Sequence, residues 1–131
     1  MKQLYAEILQ RFPELQSRVS EGDDELPYLV MGYLADWLKE LGDAVTPEII
    51  ERVVAFARWC ESHSRGKDAG DDVLTIFVVG FYEHLFDSAC TRRILPRLIP
   101  REDLKRNADY LRQWIGVENY DMALQEYDRG T

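Results

Sequence analysis

Between residues 26 and 41 the apolar side chains Leu26, Leu29, Val30, Tyr33, Leu34, Trp37, Leu38 and Leu41 recur at intervals of three and four, while Asp36, Lys39 and Glu40 fall on the opposite face. That is the period of an α-helix with one face in a core, and a strand does not reproduce it. Gly42 supplies a stop, because glycine accepts the left-handed backbone that ends helices. Thr46 and Pro47 then read as an N-cap followed by a residue whose fixed φ suits the first helical position. The second helix has Ile49, Ile50, Val53, Ala57 and Cys60 on one side, carries Glu48 and Glu51 in its first turn, and is expected to end near Arg65 and Gly66.

The remaining segments extend the same pattern. Residues 62–72, with Gly66 and Gly70 among Ser, Lys and Asp, read as a loop between helices. From Val73 onward Leu74, Phe77, Val78, Phe81 and Leu85 keep helical spacing, and Ile76, Val79, Tyr82 and Phe86 leave only a narrow polar strip, as in a central helix over 73–88 buried nearly all round. The β-branched density of 73–79 leaves a buried strand as the alternative. Pro96 and Pro100 confine 91–99 to a short helix or turn, before a helix over 101–115 with Leu104, Ala108, Leu111 and Ile115 inward. Leu4, Ile8, Phe12, Leu15 and Val19 mark an opening helix interrupted at Pro13, and Tyr120, Ala123, Leu124 and Tyr127 mark a last one over 118–128. With 131 residues, one core suffices. The expectation is an all-α, single-domain irregular helical bundle of about five to seven helices: an N-terminal helical arm at 1–25, core helices at 26–115, and a C-terminal helix or tail at 116–131. The helices beginning at 26 and 73 would also suit stacked HEAT-like helical hairpins.

Charge narrows the partners. Sixteen basic against 24 acidic residues give a net charge of −8, which repels nucleic acid and anionic lipid and favours a basic or neutral protein partner. The longest nearly unbroken apolar run, 73–82, is about half of a membrane span. The first residues carry charges and lack a secretory signal, and two cysteines in a chain of this size do not make a disulfide framework, so a cytoplasmic location is expected. The charge is also lopsided. Residues 92–112 hold seven basic and three acidic side chains. Arg92, Arg93, Arg97, Arg101, Lys105, Arg106 and Arg112 read either as a phosphate-binding patch or, more simply, as internal partners of the acidic helices.

Candidate chemistry is sparse. Cys60, His63, His84 and Cys90 supply the four N/S ligands of a zinc site, but their spacing fits no compact zinc motif, and core cysteines with surface histidines explain them better. His84 as a base, with Glu83 or Asp87 beside it and Ser88 or Cys90 as nucleophile, describes a hydrolase built only of sequence neighbours. No nucleophile elbow, phosphate loop or calcium loop is present, so no catalytic residue, metal or cofactor is expected.

The acids Asp23, Asp24, Glu25, Asp43, Glu48, Asp68, Asp71 and Asp72 cluster around helix starts and loops. Capping and solubility account for such residues; converging at one end of the bundle, they would instead form a negative surface that steers a positive partner. Phe12-Pro13-Glu14-Leu15, Glu25-Leu26-Pro27-Tyr28-Leu29, Leu34-Ala35-Asp36-Trp37-Leu38 and the segment 73–86 together resemble an uncharacterised family of small acidic all-helical bacterial proteins, themselves similar to immunity proteins of toxin systems. The resemblance covers roughly residues 8–112 and implies a non-catalytic binder that neutralises a cognate basic toxin through the acidic surface. Two alternatives stand beside it. One is a helical adaptor or self-associating homo-oligomeric scaffold docking through Trp114, Tyr120 or Tyr127. The other is a small hydrolase or metal protein around His84.

Overall fold

The computed structural model describes residues 2–63 and 72–129 and is helical throughout, with no strand among them. Eight α-helices follow in order: α1 (Lys2–Arg11), α2 (Pro27–Leu41), α3 (Pro47–Ser62), α4 (Val73–Gly80), α5 (Ala89–Leu98), α6 (Arg101–Arg106), α7 (Ala108–Ile115) and α8 (Val117–Arg129). Short 3-10 helices at Pro13–Ser17, Asp23–Glu25, Gly42–Ala44 and Tyr82–Asp87 join them. The class is as expected, and the count is higher because the helix expected over 101–115 is broken in two; the one expected over 73–88 is cut short. Val73 does start a helix rather than a strand, capped by the Asp72 carboxylate on the Thr75 N–H at 3.3 Å. It stops at Gly80, however, and the chain continues to Asp87 as a 3-10 helix. The helix expected over 101–115 breaks at Asn107, whose side-chain amide and backbone N–H both turn back to the Asp103 carbonyl.

Capping chemistry sets most other boundaries. Thr46 Oγ1 accepts from the Ile49 N–H at 3.2 Å, with Pro47 at the first turn of α3. That helix ends at Ser62, before the expected Arg65, because the His63 ring stacks on Trp59 and its Nδ1 lies 2.8 Å from the Trp59 carbonyl. Gly42 closes α2 at φ +54°, and Gly116 separates α7 from α8 at φ +92°.

One core runs through the whole chain. α4 is central, packed between α2 and α3, and α8 lies against α5 and α7. Sequential α2 and α3 are not a HEAT-like hairpin: α2 packs chiefly on α4, and Phe12 separates α2 from α3, edge-on to Trp37 at 6.1 Å and to Phe56 at 5.8 Å. The N-terminal residues are no arm either, since Leu4, Ile8, Phe12 and Leu15 are all fully buried. Residues 117–129 form the helix α8, which packs into the same core. The hydroxyl of Tyr127 donates to the Ile99 carbonyl at 2.8 Å, and Tyr120 and Ala123 are buried.

Arg52 of α3 ties the N-terminal segment down. Its guanidinium donates to both Glu14 carboxylate oxygens at 2.9 and 2.8 Å and to the Arg11 carbonyl at 3.1 Å, and stands 5.8 Å from the centroids of Phe12 and Trp37. The hydrogen bond from Arg52 holds the Glu14 carboxyl below its ordinary value of 4.5. A lowered carboxyl stabilises the fold in full above the unfolded value and loses that contribution as pH falls through the folded one. Arg52→Gln is therefore expected to cost more stability at neutral pH than at about pH 3, read by urea unfolding at both.

Gly80 is where α4 meets α2. A Cβ built there stands 2.8 Å from Met31 Cβ, so neither backbone has room to give. Gly80→Ala should destabilise by about 1–3 kcal/mol, a fall of roughly 3–10 °C in Tm by calorimetry, although alanine is the better helix former.

Candidate interaction surface

Among the described residues the acids do not all gather at one helix end. Asp23, Asp24 and Glu25 precede α2 and Asp43 follows it, so a helix of 15 residues, about 22 Å long, lies between them. Asp23 leaves the surface altogether: it is 5% exposed, and its carboxylate accepts from the Ser20 N–H at 2.8 Å and the Tyr33 hydroxyl at 3.2 Å. Asp43 pairs with Arg93 at 3.0 Å, Glu48 lies 3.5 Å from Arg52, and Asp72 caps α4 and accepts from the Thr75 hydroxyl. Asp68 and Asp71 lie outside the described residues. Asp24 is half-buried, and Glu25 is exposed at the head of α2.

The basic segment is largely consumed inside the chain. Arg92 donates to the Phe86 carbonyl at 2.8 Å, Arg93 to Asp43, Arg101 to Asp128 and Arg106 to Asp103, and Arg112 lies over the Tyr120 ring at 4.7 Å. Pairing with carboxylates therefore describes three of these seven side chains, Arg93, Arg101 and Arg106, and two more are engaged by a carbonyl and a ring. The phosphate patch is left with Arg97 and Lys105 among the described residues.

Neither set of histidine neighbours assembles. Cys60 is fully enclosed, and burial pushes its thiol up to about 12, which keeps it a protonated apolar filler. His63 caps α3, and among the described residues no three His, Cys, Asp or Glu side chains form a metal-sized group. Glu83 accepts from Tyr110, Asp87 pairs with Lys39 at 2.7 Å, and Ser88 Oγ lies 3.1 Å from Cys90 Sγ. The neighbours proposed for His84 are thus engaged elsewhere. A crevice between Val53, Ala57, Phe77, Phe81 and Leu98 has a volume of about 30 Å³, of the order of a water molecule. One ionisable group, Tyr82, lines it, held neutral by burial.

What the surface does carry is apolar. Leu26 and Leu29 are 50% and 43% exposed, and with Glu25, Pro27 and Tyr28 they border an open hollow at the start of α2. The spacing argument had put both leucines in the core, and the structure corrects it. Leu26 is the non-helical residue just before the first turn, and on the 100° helical wheel Leu29 falls beside Asp36 and Gly32, away from Val30, Met31 and Leu34. Tyr28 reaches the end of α4, its ring 3.4 Å from the space beside Gly80. Tyr110 and Trp114 stand one turn apart on α7, their rings 6.2 Å apart and Trp114 64% exposed. The Tyr110 hydroxyl donates to Glu83 at 2.9 Å, and partial desolvation, then that bond, push it up to about 12. Of the three aromatics named for docking only Trp114 is exposed; Tyr120 and Tyr127 belong to the core.

The same region concentrates the charge. Residues 19–51 contain nine acids and one base, Lys39, a balance of −8 that equals the net charge of the entire chain. Lys39 is held by Asp87, and Arg18, just ahead, is bound through both guanidinium nitrogens to Glu40.

These features define a small all-α domain with exposed apolar side chains at the head of α2 and on α7, in which no described helix is long and apolar enough to cross a membrane. The chain belongs to the family described as Domain of unknown function (DUF7674), whose model matches residues 5–118. Membership of an uncharacterised family is what the sequence tags implied. No curated protein and no solved structure matches the chain.

Proposed function

We propose that this protein is a non-catalytic binding module that captures a basic protein partner, in the manner of a bacterial immunity protein neutralising its cognate toxin. The observation that supports it is the exposure of Leu26, Tyr28 and Leu29 at the head of α2 and of Tyr110 and Trp114 on α7, with the exposed carboxylates of Glu25 and Asp36 beside the first group. Water leaves contiguous apolar side chains exposed at a cost that a bound partner removes. Aromatic side chains such as Trp114 and Tyr110 anchor interfaces, and an acidic border accelerates encounter with a basic surface. An adaptor would use the same side chains, but self-association would bring two acidic faces together. The reading puts the protein in the cytoplasm, consistent with two unpaired cysteines.

Co-expression with the product of the adjacent gene tests this reading. A stoichiometric complex is expected, with an association rate that falls steeply as salt rises. Failure to bind a basic neighbour, or association indifferent to salt, contradicts it.

A further inference from the structure

We infer that Gly32 is the point where a basic amphipathic helix of the partner closes onto α2, its backbone lying against the bare Cα. The inference rests on the binding reading above and names the chemistry and register of the occupant. Glycine is a poor residue for a helix interior, well below alanine, and its missing side chain leaves room for a neighbour to approach the backbone closely. Gly80 shows such a use, because a Cβ there would strike Met31. Gly32 shows none: a Cβ at that position meets nothing within 4 Å. The space lies outside the fold.

Its surroundings indicate what fills that space. Gly32 lies one turn after Leu29 and one turn before Asp36, on the outer face of α2. Leu26 and Leu29 are exposed on one side of it, and the exposed acids Glu25 and Asp36 mark the two ends. Interhelical distance is set by the side chains at the crossing, so a glycine next to the exposed Leu29 admits a second helix more closely than any other residue. Charge then selects the helix. With Lys39 and Arg18 both held by carboxylates, lysine or arginine flanking the occupant's apolar stripe is attracted, and a second copy of this chain would present like charge.

The test uses the full chain and a synthetic leucine/lysine amphipathic helix of about 18 residues, with a leucine/glutamate helix as its counterpart. The leucine/lysine helix is expected to shift backbone amide resonances around Leu26, Leu29, Gly32 and Asp36, and the leucine/glutamate helix is not. Gly32→Ala is expected to raise Tm by roughly 1–4 °C through helix propensity. It should nonetheless weaken binding of the lysine helix several-fold, and Gly32→Leu should weaken it by about tenfold or more. If both Gly32 variants bind like the parent while Leu29→Ser loses binding, the close approach is wrong and the surface stands. If Leu29→Ser also binds like the parent, the surface itself is wrong. Equal binding of the glutamate helix overturns the basic occupant.

Discussion

Phe12→Ala is expected to destabilise the fold by about 3–5 kcal/mol, a large part of the roughly 5–15 kcal/mol that holds a domain of this size together. Phe12 is fully buried and its ring joins three elements: it meets Trp37 of α2 and Phe56 of α3 edge-on, and carries the Arg52 guanidinium on its remaining side. Truncation removes those contacts and leaves a cavity between two helices that hardly touch otherwise. It also uncovers Arg52, whose Nε already lies buried without a hydrogen bond, so the bridge to Glu14 loses its apolar support. Phe12→Leu keeps most of the volume and should recover at least half of the loss, read as the urea midpoint at constant m-value. A cost below about 1 kcal/mol for the alanine variant would mean that α1 and the Pro13–Ser17 helix are not part of the cooperative core.

Leu29→Ser and Trp114→Ala are each expected to weaken binding of the basic partner by roughly 30-fold or more, the effect of removing an interface anchor worth at least about 2 kcal/mol. Neither substitution changes charge, so steering is intact and the loss should appear in the dissociation rate, with the association rate unchanged. Folding stability should move by less than about 0.5 kcal/mol, because Leu29 is 43% and Trp114 64% exposed. Glu25→Lys is the complement: on the border of the same patch, it should slow association and flatten its salt dependence. Separating the two effects by rate constant distinguishes an apolar anchor from an acidic rim.

Much of the fold was legible because capping and helical period are local. Thr46 with Pro47 and Gly42 mark boundaries that depend on chemistry within four residues, and the structure uses both. The break after Gly80 depends on Met31 from another helix, and a segment apolar on every side offers no period to show it. Asn107 was a local signal of a different kind, a side chain that competes for helix carbonyls, and it was legible in principle. The acids misled for a physical reason: a carboxylate that caps a helix and one that meets a partner have the same sequence signature, and Asp23 is satisfied by Ser20 and by Tyr33 ten residues on. Leu26 and Leu29 fit the apolar stripe of α2 but sit at its edge, and the neighbours that would bury them are absent among the described residues. Tyr110 and Trp114 carried the usable clue, since both fall outside the inward stripe of Ala108, Leu111 and Ile115 on the helical period.

Amide hydrogen exchange on the complex with the adjacent-gene product tests the binding surface most directly. Slowed exchange is predicted in the first half of α2 and along α7, with the buried amides of α4 unchanged. Protection confined to α3 or α8, with the Leu26 to Gly32 stretch exchanging as in the unbound protein, would contradict the account.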